Sequence, residues 1–65
     1  MQTFEVRGMS CAHCERAVTS AVHGIDPAAR VAVDLAAGIV TVDSFAPAER
    51  LEKAIEAEGY QARRR

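Results

Sequence analysis

Apolar and polar residues alternate at the start of the chain, where Phe4 and Val6 are separated by Glu5 and followed by Arg7. A period of two is that of a short strand with one buried face, and it ends at Gly8. The period then changes. After the Gly8 to Ala12 stretch, Cys14, Ala17, Val18, Ala21, Val22 and Ile25 recur at i, i+3, i+4 and i+7, which predicts an amphipathic helix ending near Gly24 and Pro27. Alternation returns at Val31, Val33 and Leu35, and a β-branched run, Ile39-Val40-Thr41-Val42, follows Ala36-Ala37-Gly38. Two such runs joined by a short glycine-containing turn predict a hairpin. Its period sets Val40 and Val42 on one face and leaves Ile39 as an expected exposed apolar residue.

Pro47 suits the first turn of a second helix, in which Leu51, Ala54, Ile55 and Glu58 fall at helical spacing before Gly59. Glu49 and Lys53 form an i, i+4 pair on its solvated face. Tyr60-Gln61-Ala62 predicts a last strand, and Arg63, Arg64 and Arg65 read as a frayed, solubilising end. The order strand, helix, strand, strand, helix, strand predicts an α+β fold. It is the ferredoxin-like βαββαβ sandwich, a four-stranded antiparallel sheet with two helices on one face. No repeat or low-complexity segment interrupts it, so residues 1–65 are expected to form one domain.

Composition narrows what such a domain can do. At 65 residues, with 49% hydrophobic and 26% charged side chains, the chain is ordinary globular material too short for a deep substrate cavity with its own supporting shell. An enzyme is not expected. Phe4, Phe45 and Tyr60 are the only aromatics, and they offer no platform for stacking bases. The net charge of −1 hides an asymmetry, since residues 1–62 carry five basic and nine acidic groups, a net of −4, ahead of the three arginines. That acidic body disfavours nucleic acid as a partner. No segment reaches the roughly 18 uninterrupted apolar residues of a membrane span, and Met1-Gln2-Thr3-Phe4-Glu5 lacks the features of a secretory signal. No membrane insertion and a cytoplasmic location are therefore expected. In that reducing compartment Cys11 and Cys14 read as thiols rather than as a staple.

These two thiols are the informative chemistry. They stand three positions apart where a strand hands over to a helix, so that both sulfurs reach one ion from one side of a helical turn. The positive end of the helix favours thiolates over the ordinary thiol with its pKa of about 8.5. A bare C-x-x-C is weak evidence, since redox proteins, zinc sites and chance all produce it. A structural zinc site needs four ligands, and the remaining candidates are His13, badly placed inside the pair, and His23. A thioredoxin-like oxidoreductase needs a larger domain around the motif. Two thiolates with no further evident ligand suit a soft, low-coordinate ion, chiefly Cu(I), with Hg(II) or Ag(I) as mimics. On spacing alone His13 is a solvent-facing loop residue, His23 a surface residue, Met9 a flexible filler of a small core and Tyr60 a sheet residue closing it.

Gly8-Met9-Ser10-Cys11-Ala12-His13-Cys14 matches the G-M-x-C-x-x-C signature of heavy-metal-associated domains. Together with the element order and Glu58-Gly59-Tyr60, the chain resembles that family over nearly its whole length, and within it the free-standing bacterial copper chaperones. The resemblance implies Cu(I) held by Cys11 and Cys14 and passed by ligand exchange to the metal-binding domains of a copper-exporting P-type ATPase. It also places Met9 under the metal loop, brings Tyr60 close to that loop and gives His13 a tuning role. Relatives that handle zinc, cadmium or lead often carry an acidic residue where Ser10 stands, and Ser10 therefore favours Cu(I).

The other expectation of a binding kind is a copper buffer, or a donor to a copper-responsive regulator, acting through a copper-linked homodimer. An excised pump domain is the remaining alternative, and a start at Met1 with no linker after Arg65 speaks against it.

Overall fold

Six elements occur in the predicted order: β1 (Gln2–Arg7), α1 (Ala12–Ile25), β2 (Arg30–Asp34), β3 (Ile39–Asp43), α2 (Ala48–Ala57) and β4 (Gln61–Arg64). They are taken from a computed structural model that describes residues 1–10 and 12–65. The strands form one sheet in the order β2-β3-β1-β4, with each neighbouring pair antiparallel. Register sets Phe4 opposite Val40, Val6 opposite Ala62 and Val31 opposite Val42, so the apolar residues of all four strands share one face. Both helices cover that face. Val18 and Val22 of α1 and Leu51 and Ile55 of α2 pack with Phe4, Val6, Val40, Val42, Ala29 and Ala62 in a core that contains no polar or charged residue among those described. The predicted ferredoxin-like architecture is the observed one.

The ends of the elements differ from the sequence reading in four places. Pro47 is the cap of α2 and not part of its first turn: its ψ of 136° is extended, and its carbonyl accepts from Arg50 and Leu51 N–H at 3.0 and 3.2 Å. β2 stops at Asp34, before Leu35, because the Asp34 carbonyl accepts from Gly38 N–H at 2.9 Å and its carboxylate from Ala37 N–H at 3.1 Å, which closes the turn. Ile39 is half-buried and not exposed, since it lies on a central strand between Asp34 and Glu5. Finally, β4 omits Tyr60 and takes in Arg63 and Arg64, so the expected frayed end is a paired strand. Glu52 of α2 accepts from Arg64 Nε at 2.8 Å and from Arg64 N–H at 3.2 Å, and Arg65 N–H donates to the Thr3 carbonyl at 2.9 Å. An ion pair to a distant helix leaves no trace in hydrophobic periodicity. The Glu49–Lys53 pair is present at 3.5 Å on the exposed side of α2.

The antiparallel register also sorts the connections to two ends. At one end lie Gly8, the start of α1, the 35–38 turn and residues 58–60, joined to the sheet where Val6 N–H donates to the Gly38 carbonyl at 2.8 Å. At the other end lie Met1, residues 26–29, residues 44–47 and Arg65. There Ser44 Oγ donates to Asp26 at 2.6 Å, which ties the end of α1 to the β3–α2 loop.

Removing a buried side chain from so small a core costs more than removing any surface pair. Leu51→Ala is expected to lower stability by about 2–5 kcal/mol, whereas Glu49→Ala costs less than about 0.5 kcal/mol. Urea denaturation of the two variants against the parent checks both figures.

Candidate metal centre

The candidate site begins where β1 ends. Gly8 adopts φ +100°, a conformation that L side chains rarely take, and so turns the chain out of the sheet toward the helical layer. A Cβ built on Gly8 would sit 3.3 Å from Cδ1 of Tyr60, so the tyrosine ring lies directly against the beginning of the loop. Tyr60 itself is half-buried and packs against the core, as does Met9 one residue beyond Gly8. Tyr60 therefore meets the loop at Gly8, the proximity that the family resemblance implied and that spacing alone did not give, because α2 and its Gly59 turn bring the ring there.

Cys14 stands in the first turn of α1 and is half-buried, on the side of the helix that continues into Val18 and Val22. Its placement combines a sulfur near the surface with the positive end of a 14-residue helix, a setting that favours an anionic ligand. Glu15 in the same turn adds a negative charge that offsets part of that field. Cys11 lies outside the described residues. Ser10 and His13, on either side of it, are both exposed. His13 is exposed as expected, but it belongs to the first turn of α1 and not to a loop.

His23 belongs to the opposite end of the molecule. Nine residues beyond Cys14, it is displaced by about 14 Å along the helix axis. Its Nε2 lies 2.9 Å from the Ala29 carbonyl oxygen, which only accepts, so the bond requires the proton on Nε2. Among the described residues, no group of three or more His, Cys, Asp or Glu side chains is placed to hold a metal ion. The arrangement thus offers Cys14, with Cys11 three residues before it in sequence, and no closed cage of further described donors.

A profile of the heavy-metal-associated domain matches residues 3–61. The chain belongs to the heavy-metal-associated domain family. Among its relatives, the copper chaperone CopZ of Staphylococcus aureus (strain MRSA252) is 40% identical over an alignment of 62 positions, with 91% of each chain covered. The solved copper chaperone Atx1 from Synechocystis PCC6803, in its Cu2 form, superposes with a TM-score of 0.89 at 36% identity, covering 94% of this chain and 97% of Atx1. The N-terminal domain of PacS from the same organism superposes with a TM-score of 0.86 at 28% identity, covering 98% and 94% of the two chains. The same fold thus occurs in a copper chaperone and in a domain of a differently named protein. Within this heavy-metal-associated chain, no helix of the described residues is long and apolar enough to cross a membrane.

The glycine that opens the loop is open to a test by substitution. Gly8→Ala is expected to destabilise the domain by about 1–3 kcal/mol, because alanine is strained at a positive φ and its methyl meets the Tyr60 ring. Gly24→Ala is expected to move stability the other way by up to about 1 kcal/mol, since Gly24 is helical with open space around it. Chemical denaturation of both variants decides the sign of each.

Proposed function

We propose that this chain is a Cu(I) metallochaperone that works in the cytoplasm, holds copper as cargo between the thiolates of Cys11 and Cys14, and passes it on without catalysing a covalent reaction. The observation that carries the reading is the position of Cys14, half-buried in the first turn of α1 at one end of a chain whose relatives are copper chaperones. Two soft sulfur ligands suit a soft ion of low coordination number, and a site around which the described residues form no cage leaves that ion reachable by an incoming ligand. Copper then moves by ligand exchange. A thiolate of the acceptor joins the bound ion to make a three-coordinate centre, one of the donor thiolates leaves, and a second exchange completes the transfer with no copper released to water.

The acceptor in this proposal is a metal-binding domain of a copper-transporting P-type ATPase. Support comes from the PacS N-terminal domain, which shows that the same fold is used within a second, differently named protein. Donor and acceptor with like thiolate pairs bind the ion about equally well, so the exchange is nearly balanced and runs in the direction that removes copper from the acceptor. Met9 and Tyr60 hold the loop from beneath and from the side, by packing. His13, exposed beside Cys14, is assigned a tuning role through its charge, and Ser10 adds no anionic oxygen that would favour a divalent ion.

Replacing Cys11 or Cys14 by Ser is expected to abolish tight Cu(I) binding in competition with bathocuproine sulfonate. A double variant that still withholds copper from that chelator overturns the assignment. Because the body of the chain is acidic, raised salt is expected to slow transfer to a partner with a basic docking face. Stopped-flow transfer rates over a range of ionic strength measure this, and rates indifferent to salt remove electrostatic steering from the account.

A further inference from the structure

β2 is an outer strand of the sheet, with β3 on one side and no strand on the other. Which of its backbone groups face the open side follows from one hydrogen bond. Val6 N–H donates to the Gly38 carbonyl at 2.8 Å, continuing the β1–β3 ladder beyond Glu5 and Ile39, so Gly38, Val40 and Val42 turn their backbone groups to β1. Ile39, Thr41 and Asp43 therefore turn theirs to β2, where they meet Asp34, Ala32 and Arg30. The other two residues of β2, Val31 and Val33, direct N–H and C=O to the open side, and among the described residues nothing bonds them there. Ala29, the preceding residue of the same phase, is already satisfied: its N–H donates to the Asp26 carbonyl at 3.0 Å, and its carbonyl lies 2.9 Å from His23 Nε2. The open border of β2 is thus bounded to the donors and acceptors of two residues.

We propose that this border is where two copies of the chain pair, β2 antiparallel to β2 about a twofold axis at Ala32, joining their sheets without metal. One register uses every open group. An axis at Ala32 sets Val31 of each copy opposite Val33 of the other as a hydrogen-bonded pair, in which both N–H groups donate and both carbonyls accept. An axis at Val31 faces Val33 with the occupied Ala29, and an axis at Val33 faces Val31 with Leu35, beyond the strand. On the axis the two Ala32 residues form the closer, non-hydrogen-bonded kind of pair, about 4.5 Å between Cα atoms, which a small exposed methyl admits. Val31 and Val33, half-buried at the margin of the core, cover each other. Charge is not what holds the pair, since Arg30 already has Asp43 opposite it, but no like charges meet: Asp34, whose neighbour in the sheet is Ile39, comes to face Arg30 of the other copy. β4 lacks this fit, because two copies of it would bring arginines together. A five-residue strand is about 17 Å long and buries on the order of a few hundred Å² per copy, below the roughly 800 Å² of a standard interface, so the association is weak and concentration-dependent. The thiol end is the end at which β2 runs into the 35–38 turn, so antiparallel pairing sends the two thiol loops to opposite ends of the joined sheet. They cannot share one ion there, which separates this pair from a copper-linked dimer, and it stands whether or not the copper reading holds.

The test is sedimentation equilibrium of the reduced protein with a metal chelator, from dilute solution to NMR concentrations, with amide shifts followed over the same range. The expected result is a rising mass, with amide shifts that move at Val31 and Val33 and stay still at Gly8 and Met9. Val33→Pro, which removes an outward N–H and no bond to β3, is expected to weaken association at least about tenfold. Ala32→Arg and Ala32→Glu each set like charges opposite one another on the axis and are expected to weaken it by about two- to fivefold, and a mixture of the two to associate more tightly than either alone. The Cys11→Ser/Cys14→Ser variant is expected to associate as the parent does. Folding of each variant is read from its amide spectrum, and the two Ala32 variants, at an exposed position, decide the matter if Val33→Pro does not fold. A monomer at every concentration overturns the proposal, as does association that leaves the Val31 and Val33 shifts unmoved, is lost with the cysteines or is unchanged in a folded Val33→Pro. A mixture of the Ala32 variants that associates no better than each alone overturns it too.

Discussion

Burial of one apolar sheet face beneath two helices is the constraint on which the rest of this domain depends. Phe4, Val6, Val40 and Val42 make that face, and Val18, Val22, Leu51 and Ile55 cover it, with no buried polar group among the described residues to direct the packing. A one-residue slip in any strand would turn its apolar set to water, so burial alone sets the register. Register in turn decides which connections meet at each end. The first turn of α1, and Cys14 with it, stands where it does because Val18 and Val22, one and two turns further on, are locked against the sheet.

The two ends of the molecule solve different problems with the chain that is left over. The far end is bound by side chains, with Asp26, Ser44 and Gln2 cross-linking neighbouring loops through hydrogen bonds. The thiol end relies more on backbone conformation and packing, with a positive φ at Gly8, another at Gly38 and the Tyr60 ring laid against Gly8, besides the Asp34 carboxylate that closes the 35–38 turn. For the ligand exchange proposed above, this arrangement supports the loop at Gly8 by packing and leaves Ser10 and His13 exposed.

Much of this was legible in the order of residues. The change of period from two to 3.6 and back marks all six elements, and Gly8-Met9-Ser10-Cys11-Ala12-His13-Cys14 marks the candidate site. What escaped has a common physical origin. The bond from His23 to Ala29, the half-burial of Ile39 and the capture of Arg64 by Glu52 all depend on which residues the finished fold makes neighbours. The Pro47 cap and the early stop of β2 at Asp34 depend on single hydrogen bonds at element ends, where periodicity is weakest.

The charged end of β4 has one more consequence. β4 and β2 are the two outer strands of the sheet, and the unpaired backbone groups of such strands can recruit a strand from another molecule. Arg63 and Arg64 on β4, with Arg30 and Asp34 bounding β2, place charge along both borders. A second copy's β4 laid beside this one would bring the Arg63 and Arg64 side chains of the two copies together and strip their water. The arginine run that reads in the sequence as a frayed, solubilising end thus also charges an open edge of the sheet.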